Sequence, residues 1–201
     1  MKHMSDMPMI QSVQIQGKDK ALSAMMLAFS GDPFFRWFAP DPDLYVRHGC
    51  GLMNAFGGNA FNNGTAYASA NYEGVSFWLP PGVKTDEELA HESISQIVPA
   101  ELLETVWSIF GEMGSYHPKE DCWYLPLIGV DPARQGQGLG SALLKHALEI
   151  IDRNSLPAFL ESSNPRNISL YERYGFEVVG RIQIGSSPPV HPMIRAAQKQ
   201  N

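Results

Sequence analysis

An α/β chain built on a mixed sheet of about seven strands is what this sequence predicts, on three observations. Segments of helical spacing and segments of alternating apolar spacing take turns along the chain, separated by glycine and proline signals. A glycine-rich turn ending at Gly140 stands between a strand-like run and an apolar-periodic run. Of the 201 residues 44% are hydrophobic, with no fixed-period repeat or low-complexity block, which suits one packed domain over residues 1–201.

In chain order, residues 19–40 carry Leu22, Met25, Met26 and Phe29 at helical spacing until Gly31-Asp32-Pro33 interrupts them; a short aromatic helix, Phe34 to Phe38, follows. Residues 44–61 read as a second helix, weakened by its glycines. Residues 64–82 read as two strands joined by a tight turn at Asn71 to Gly74. An acidic-starting helix is expected after Thr85 as its N-cap, with a break at Pro99. The run CWYLPLIGV, residues 122–130, is a strand whose proline lacks a ladder N–H and demands a distortion or a sheet edge. The helix after the glycines keeps Leu139, Leu143, Leu144, Ala147, Leu148 and Ile151 on one stripe. AFLES, residues 158–162, is the next strand, and NISLYERYGF is a short helix ending at Gly175. Residues 177–184 and 190–196 are expected to close the sheet.

Composition narrows the function. A formal net charge of -6 argues against a nucleic-acid partner, and a cationic or neutral small molecule suits the chain better. Cys50 and Cys122 stand outside any CxxC or metal-ligand spacing, which fits a reducing cytoplasm. The six histidines are scattered without ligand spacing, so no metal site is assigned. MKHMSDMPMIQS at the start lacks the apolar run of a signal peptide, and no stretch is long enough for a membrane span; a soluble cytoplasmic protein with no membrane partner is expected.

The glycine turn carries the chemistry. A strand feeding directly into a glycine-rich loop and a helix leaves free backbone N–H groups beside the helix's partial positive charge, and that is an anion seat. Gly136, Gly138 and Gly140 would let a phosphate approach the backbone, and Gln135 and Gln137 could add amide contacts. The dinucleotide fingerprint fails, because Ser141 stands where its third glycine belongs. The nucleoside-triphosphate loop fails because no lysine follows Gly140.

What the residues match is Arg/Gln-x-x-Gly-x-Gly/Ala, as Gln135-Gly136-Gln137-Gly138-Leu139-Gly140. Here the chain resembles the GCN5-related N-acetyltransferase (GNAT) family, in which such a loop binds the pyrophosphate of acetyl-coenzyme A. A second stretch resembles the family's closing motif: Asn164 lies seven residues before Tyr171, Gly175-Phe176 follow at the family spacing, and Asn167 stands where alanine is usual. Within the family, residues 117–196 are most similar to puromycin N-acetyltransferase-like proteins, on Gly129-Val130, Gln135 to Ser141, Pro157 to Ser162 and Pro165 to Asn167. The first 115 residues, where an acceptor would bind, match nothing so specific.

The resemblance implies a GNAT fold: a mixed, mostly antiparallel sheet flanked by helices and splayed between the strand ending at Val130 and the strand containing Glu161. Acetyl-coenzyme A would enter the splay, pair with the backbone of Ile128, Gly129 and Val130, and leave as coenzyme A. Residues 116–196 form the cofactor-binding core on this reading, and residues 1–115 carry the acceptor elements. Leu139 and Ser141 complete the loop. Tyr171 is the candidate acid for the departing thiolate, or else a packed core tyrosine. Glu161, projected into an apolar setting where its pKa should rise, is the candidate base or a paired structural carboxylate. Asn164 and Asn167 could bond the cofactor or merely form a turn. Phe34, Phe35, Trp37, Trp123 and Tyr124 could line an acceptor pocket or be core. The implied activity is direct acetyl transfer to a primary amine of a small molecule. A protein amino group as acceptor, and a non-catalytic acyl-coenzyme A sensor, stay open beside it, and the aromatic helices could support a homodimer.

Overall fold

The computed structural model describes residues 8–198. The signal-peptide reading of the first residues, and His3, therefore fall largely outside the described residues. Seven strands form one sheet in the order β1-β2-β3-β4-β5-β7-β6. They are β1 (Ile10–Ser12), β2 (Ala66–Ser69), β3 (Gly74–Leu79), β4 (Trp123–Val130), β5 (Ala158–Ser162), β6 (Phe176–Val178) and β7 (His191–Arg195). Every pairing is antiparallel except that of β4 with β5. This is the splayed, mostly antiparallel GNAT architecture expected.

Helices cover both faces. On one lie α1 (Lys18–Ala28), α2 (Pro33–Phe38), α3 (Pro42–Gly57), the short α4 (Asn59–Asn62), α5 (Glu87–Ile97) and α6 (Leu103–Tyr116). On the other lie α7 (Leu139–Ile151) and α8 (Ile168–Glu172). The core is accordingly double: Phe77 and Leu127 pack toward the first layer, Trp78, Trp123 and Leu125 toward α7.

The starts of the helices are written in their caps. Asp32 caps α2, its Oδ1 accepting from the N–H groups of Phe34 and Phe35 at 3.0 Å each, and Pro33 occupies the first turn where no N–H is needed. Asp41 and Pro42 repeat the device on α3. The glycines that weakened the sequence case for α3 are what let it pack: a Cβ on Gly49 would sit 2.8 Å from Met26 Sδ of α1. For α5 the cap is Asp86 rather than Thr85, because the Asp86 carboxylate accepts from Leu89 N at 3.0 Å.

Pro126 distorts β4 without moving it to an edge. Phe77 opposes Leu127 but Leu79 opposes Tyr124, so β4 carries one extra residue there. The bulge shifts the alternation. Leu125 faces α7, whereas Leu127, which strict alternation would place beside it, faces α1 and α3. Pairing of β4 with β5 runs only from Trp123↔Ala158 to Leu125↔Leu160 and ends before the proline.

Two strand expectations change. β1 carried no sequence signal: it is a three-residue edge strand, shorter than any alternation can report. The strand expected over 177–184 stops at Val178; Ile182 keeps one bridge to Val190, and the Tyr116 ring of α6 lies where a side chain at Gly180 would project.

At the far end Arg195 is nearly buried and donates to Tyr174 O at 2.8 Å and to both carboxylate oxygens of Asp152 just beyond α7. Asp152→Ala leaves that guanidinium without its anion, and urea unfolding should show a loss of about 2–3 kcal/mol, less than for a fully buried pair because Asp152 is partly exposed.

Candidate active site

A cleft of about 1500 Å³ runs from the glycine loop, through the gap between β4 and β5, to the aromatic helices. Its existence follows from β4: past Leu125 the strand keeps its bonds to β3 but loses β5, so one edge of the Ile128–Val130 backbone is open to the gap. An extended chain can pair with such an edge. Gly129 owes its identity to the other side, where a Cβ would lie 2.5 Å from Ala28 Cβ of α1.

At the loop end, Gly136 and Gly138 hold φ of 75° and 87°, conformations costly for any side chain, and a Cβ on either would meet nothing within 4 Å. The first helical bond of α7 runs from Ala142 N to Gly138 O at 2.9 Å. The N–H groups of Leu139, Gly140 and Ser141 therefore precede the helical ladder and sit on the wall of the cleft. Open space, free N–H groups and the helix's positive end fit a pyrophosphate.

Three arginines border the same end, Arg134, Arg166 and Arg173, and sequence reasoning missed them because nothing in the motif spacing requires them. Arg134 is held by Glu73 at 3.1 Å. Of the two glutamines, Gln135 lies on the cleft with its amide turned back to Val130 O at 3.4 Å. Gln137 is not on the cleft; it faces a separate small cavity with Asn71 and Glu73, because the left-handed glycines on either side of it turn it outward. Asn164 and Asn167 both border the cleft, and Asn164 Oδ1 accepts from Arg166 N at 3.1 Å, forming the turn.

In the middle stand the titratable groups. Glu161 of β5 faces the cleft, and burial pushes its carboxyl up from 4.5 to about 7, against the opposing pull of a hydrogen bond donated by the Tyr124 hydroxyl. Tyr124 opposes Phe159 across the parallel pair, and its ring reaches diagonally to the carboxylate two residues on. The His117 ring packs edge-on against Tyr124 at 5.1 Å. Tyr171 of α8 is 5% exposed and borders the cleft; burial, and secondly the charge of Asp32, hold its phenol well above the usual range. Among the described residues its hydroxyl makes no hydrogen bond, and its ring is packed beside that of Phe176, with centroids 6.2 Å apart. Tyr174, one turn on, instead ties α8 to α7 by donating to Ser141 O at 2.9 Å.

At the aromatic end Phe34, Phe35 and Tyr124 border the cleft, and two of the five aromatics expected at an acceptor pocket do not. Trp37 points away and donates to Ser186 Oγ at 3.3 Å. Trp123 is packed in the core on the α7 face, since odd positions of β4 before the bulge point there. The wall is completed by Phe56, Trp107 and Phe110, from α3 and α6, and by His91 of α5, stacked on Trp107 at 4.9 Å. Their helices are far apart in sequence, so no local pattern could have grouped them. Among the described residues no helix is long and apolar enough to cross a membrane.

The family model described as "Acetyltransferase (GNAT) family" matches residues 76–176, half of the chain. An uncharacterized N-acetyltransferase of Schizosaccharomyces pombe is 26% identical over 152 residues, 65% of this chain; the chain spans about three-fifths of that relative's length, 59%. Among solved structures, the histone acetyltransferase HPA2 and related acetyltransferase of Corynebacterium glutamicum superposes with a TM-score of 0.69 at 22% identity, covering 96% of this chain and 98% of its own. Arylalkylamine N-acetyltransferase 2 of Aedes aegypti gives 0.65 at 12% identity, covering 94% and 98%. At these identities the likeness is one of fold.

Glu161 makes a prediction that needs no substrate. The folded chain keeps its proton up to about pH 7, while the unfolded chain releases it near 4.5, so stability falls as pH rises through that window and is then level. Glu161→Gln, which retains an acceptor for Tyr124, removes the penalty. Denaturant titrations should find the variant more stable than the parent at pH 8, by on the order of 2 kcal/mol, and equal to it at pH 4.

Proposed function

The chain belongs to the GNAT acetyltransferase family, and from that membership we propose that it is an acetyl-coenzyme A-dependent N-acetyltransferase whose acceptor is a primary amine of a small molecule. The observation that carries the reading is continuity: one cleft joins the anion seat at α7 to Glu161 and Tyr171 and ends against aromatic side chains.

In this reading the N–H groups at the start of α7, with Arg134, Arg166 and Arg173, hold the diphosphate of acetyl-coenzyme A, and the open edge of β4 aligns its pantetheine arm. The thioester carbonyl then lies between β4 and β5, where the Val130 N–H or a neighbour is the candidate donor to its oxyanion. The acceptor nitrogen attacks as a neutral amine. Its proton passes to the Glu161 carboxylate, directly or through one water. A carbon–nitrogen bond forms, the carbon–sulfur bond breaks, and Tyr171 donates its proton to the departing sulfur; both residues reset by exchange with solvent. Burial keeps the Tyr171 phenol protonated at every working pH, so it is always a donor, but a weak acid that must act as the bond breaks. The pKa of about 7 at Glu161 leaves a large fraction of carboxylate at neutral pH, poised to take a proton.

The aromatic lining of Phe34, Phe35, Phe56, Trp107 and Phe110 supports a small amine with an apolar body as acceptor over a protein side chain. The Aedes neighbour's arylalkylamine acceptor agrees in kind, while the Corynebacterium neighbour's histone acetyltransferase designation does not, and fold likeness does not choose between them. A cytoplasmic location goes with the reading, consistent with the two unpaired cysteines.

The test is release of coenzyme A thiol from acetyl-coenzyme A against a panel of small amines. Turnover is expected with at least one, with kcat/KM rising through an apparent pKa near 7 that Glu161→Gln removes. Tyr171→Phe should lower kcat about a hundredfold or more while leaving acetyl-coenzyme A affinity unchanged. Saturable cofactor binding without turnover on any small amine would move the acceptor to a protein or the chain to a sensor, and absence of cofactor binding would sink the assignment.

A further inference from the structure

Asp32 is a buried carboxylate of the cleft, beside the more exposed Glu87, Glu120 and Asp121, that the mechanism above does not use. It is 8% exposed and borders the same space as Glu161 and Tyr171. Capping α2 accounts for one oxygen only: Oδ1 takes the N–H groups of Phe34 and Phe35. Oδ2 takes the hydroxyl of Ser163 at 2.7 Å, across 131 residues of chain. Ser163 is two residues past Glu161, just beyond the end of β5, and Asp32, Ser163 and Glu161 all border the one cleft.

An asparagine or serine would cap α2 as well as an aspartate does. The charge itself therefore needs an account. Buried charges are ordinarily paired, yet among the described residues no lysine, arginine or histidine forms an ion pair with Asp32 or Glu161. Lys84 and Lys119, which border the cleft, pair with neither. Tyr171, nine-tenths buried, adds a hydroxyl that opens on the same space without a hydrogen-bond partner among the described residues.

We propose that Asp32 is the acceptor-binding residue that receives the amine as its ammonium ion, and that the site thereby selects cationic amines which carry no carboxylate. The inference rests on the small-amine reading above and gives its acceptor a charge class. An ammonium entering between Phe34, Phe110 and Trp107 meets the Asp32 carboxylate, which has no ion-pair partner among the described residues, and releases one proton to solvent before the neutral nitrogen attacks with Glu161 as its base. An α-amino acid would bring a negative charge against two carboxylates and is refused.

Phenethylamine and phenylalanine differ only in that carboxylate and share a ring suited to the aromatic wall. Calorimetric titration of each into the protein with coenzyme A present should find phenethylamine at least about tenfold tighter than phenylalanine. Asp32→Asn should weaken phenethylamine by about tenfold or more and narrow the gap, with coenzyme A affinity unchanged. Ser163→Ala, which keeps the charge, should stay within about threefold of the parent. Equal binding of the two ligands by the parent, no binding of phenethylamine, or a folded Asp32→Asn that binds it as the parent does, each overturns the proposal. If Asp32→Asn fails to fold, the comparison on the parent decides alone. Acetyl transfer is not what is read here, so a protein that binds the amine but transfers no acetyl group would sink the preceding reading and leave this one standing.

Discussion

A parallel pair of strands that must part after three residues is the constraint on which the site depends. β4 and β5 pair from Trp123 to Leu125 and no further, because Pro126 supplies no N–H and an extra residue on that side turns the strand in phase. Three consequences follow from the one bulge. The gap opens between the strands, the backbone of Ile128 to Val130 is left with an unpaired edge, and Glu161, one residue past the last pair, borders the cleft. Nothing else in the sheet departs as far from regular register, and the cleft lies at this point.

Charges of both signs border the cleft. Arg134, Arg166 and Arg173 line it together with the N–H groups at the start of α7, while Asp32 and Glu161, which also face it, form no ion pair among the described residues. In the middle burial acts on proton affinity: Glu161 is raised toward neutrality and Tyr171 is kept a phenol, both upward because the same loss of water penalises both charged forms. Tyr124 moderates the first shift with its hydrogen bond, giving that residue a part in holding the carboxylate beyond the acceptor contact expected of it.

The layer of α1, α2, α3, α5 and α6 lines the aromatic end of the cleft, and its packing ties it to the loop after β5. The bond from Ser163 to Asp32 links the cap of the aromatic helix to the chain segment that leads into α8, so α2 and Tyr171 are referenced to one another through a single carboxylate.

How much of this was legible in the sequence depends on the range of the signal. The glycine loop, the α7 stripe and the Asn164-to-Tyr171 spacing are all local: the residues that make the structure lie within a few positions of one another, and backbone sterics and hydrogen bonding act at that range, although the caps themselves, Asp32, Asp41 and Asp86, were not read. The order of strands and helices, and the family resemblance, were read on that basis. What only the tertiary structure decided was facing and assembly. A bulge of one residue sent Leu127 to the opposite core from Leu125, left-handed glycines turned Gln137 away from the cleft, and Trp37 and Trp123 went to other partners while Phe56, Trp107 and Phe110 came in from distant helices. The pairing of Asp32 with Ser163 spans 131 residues. Such contacts are set by how whole layers pack, and periodicity along the chain carries no term for them.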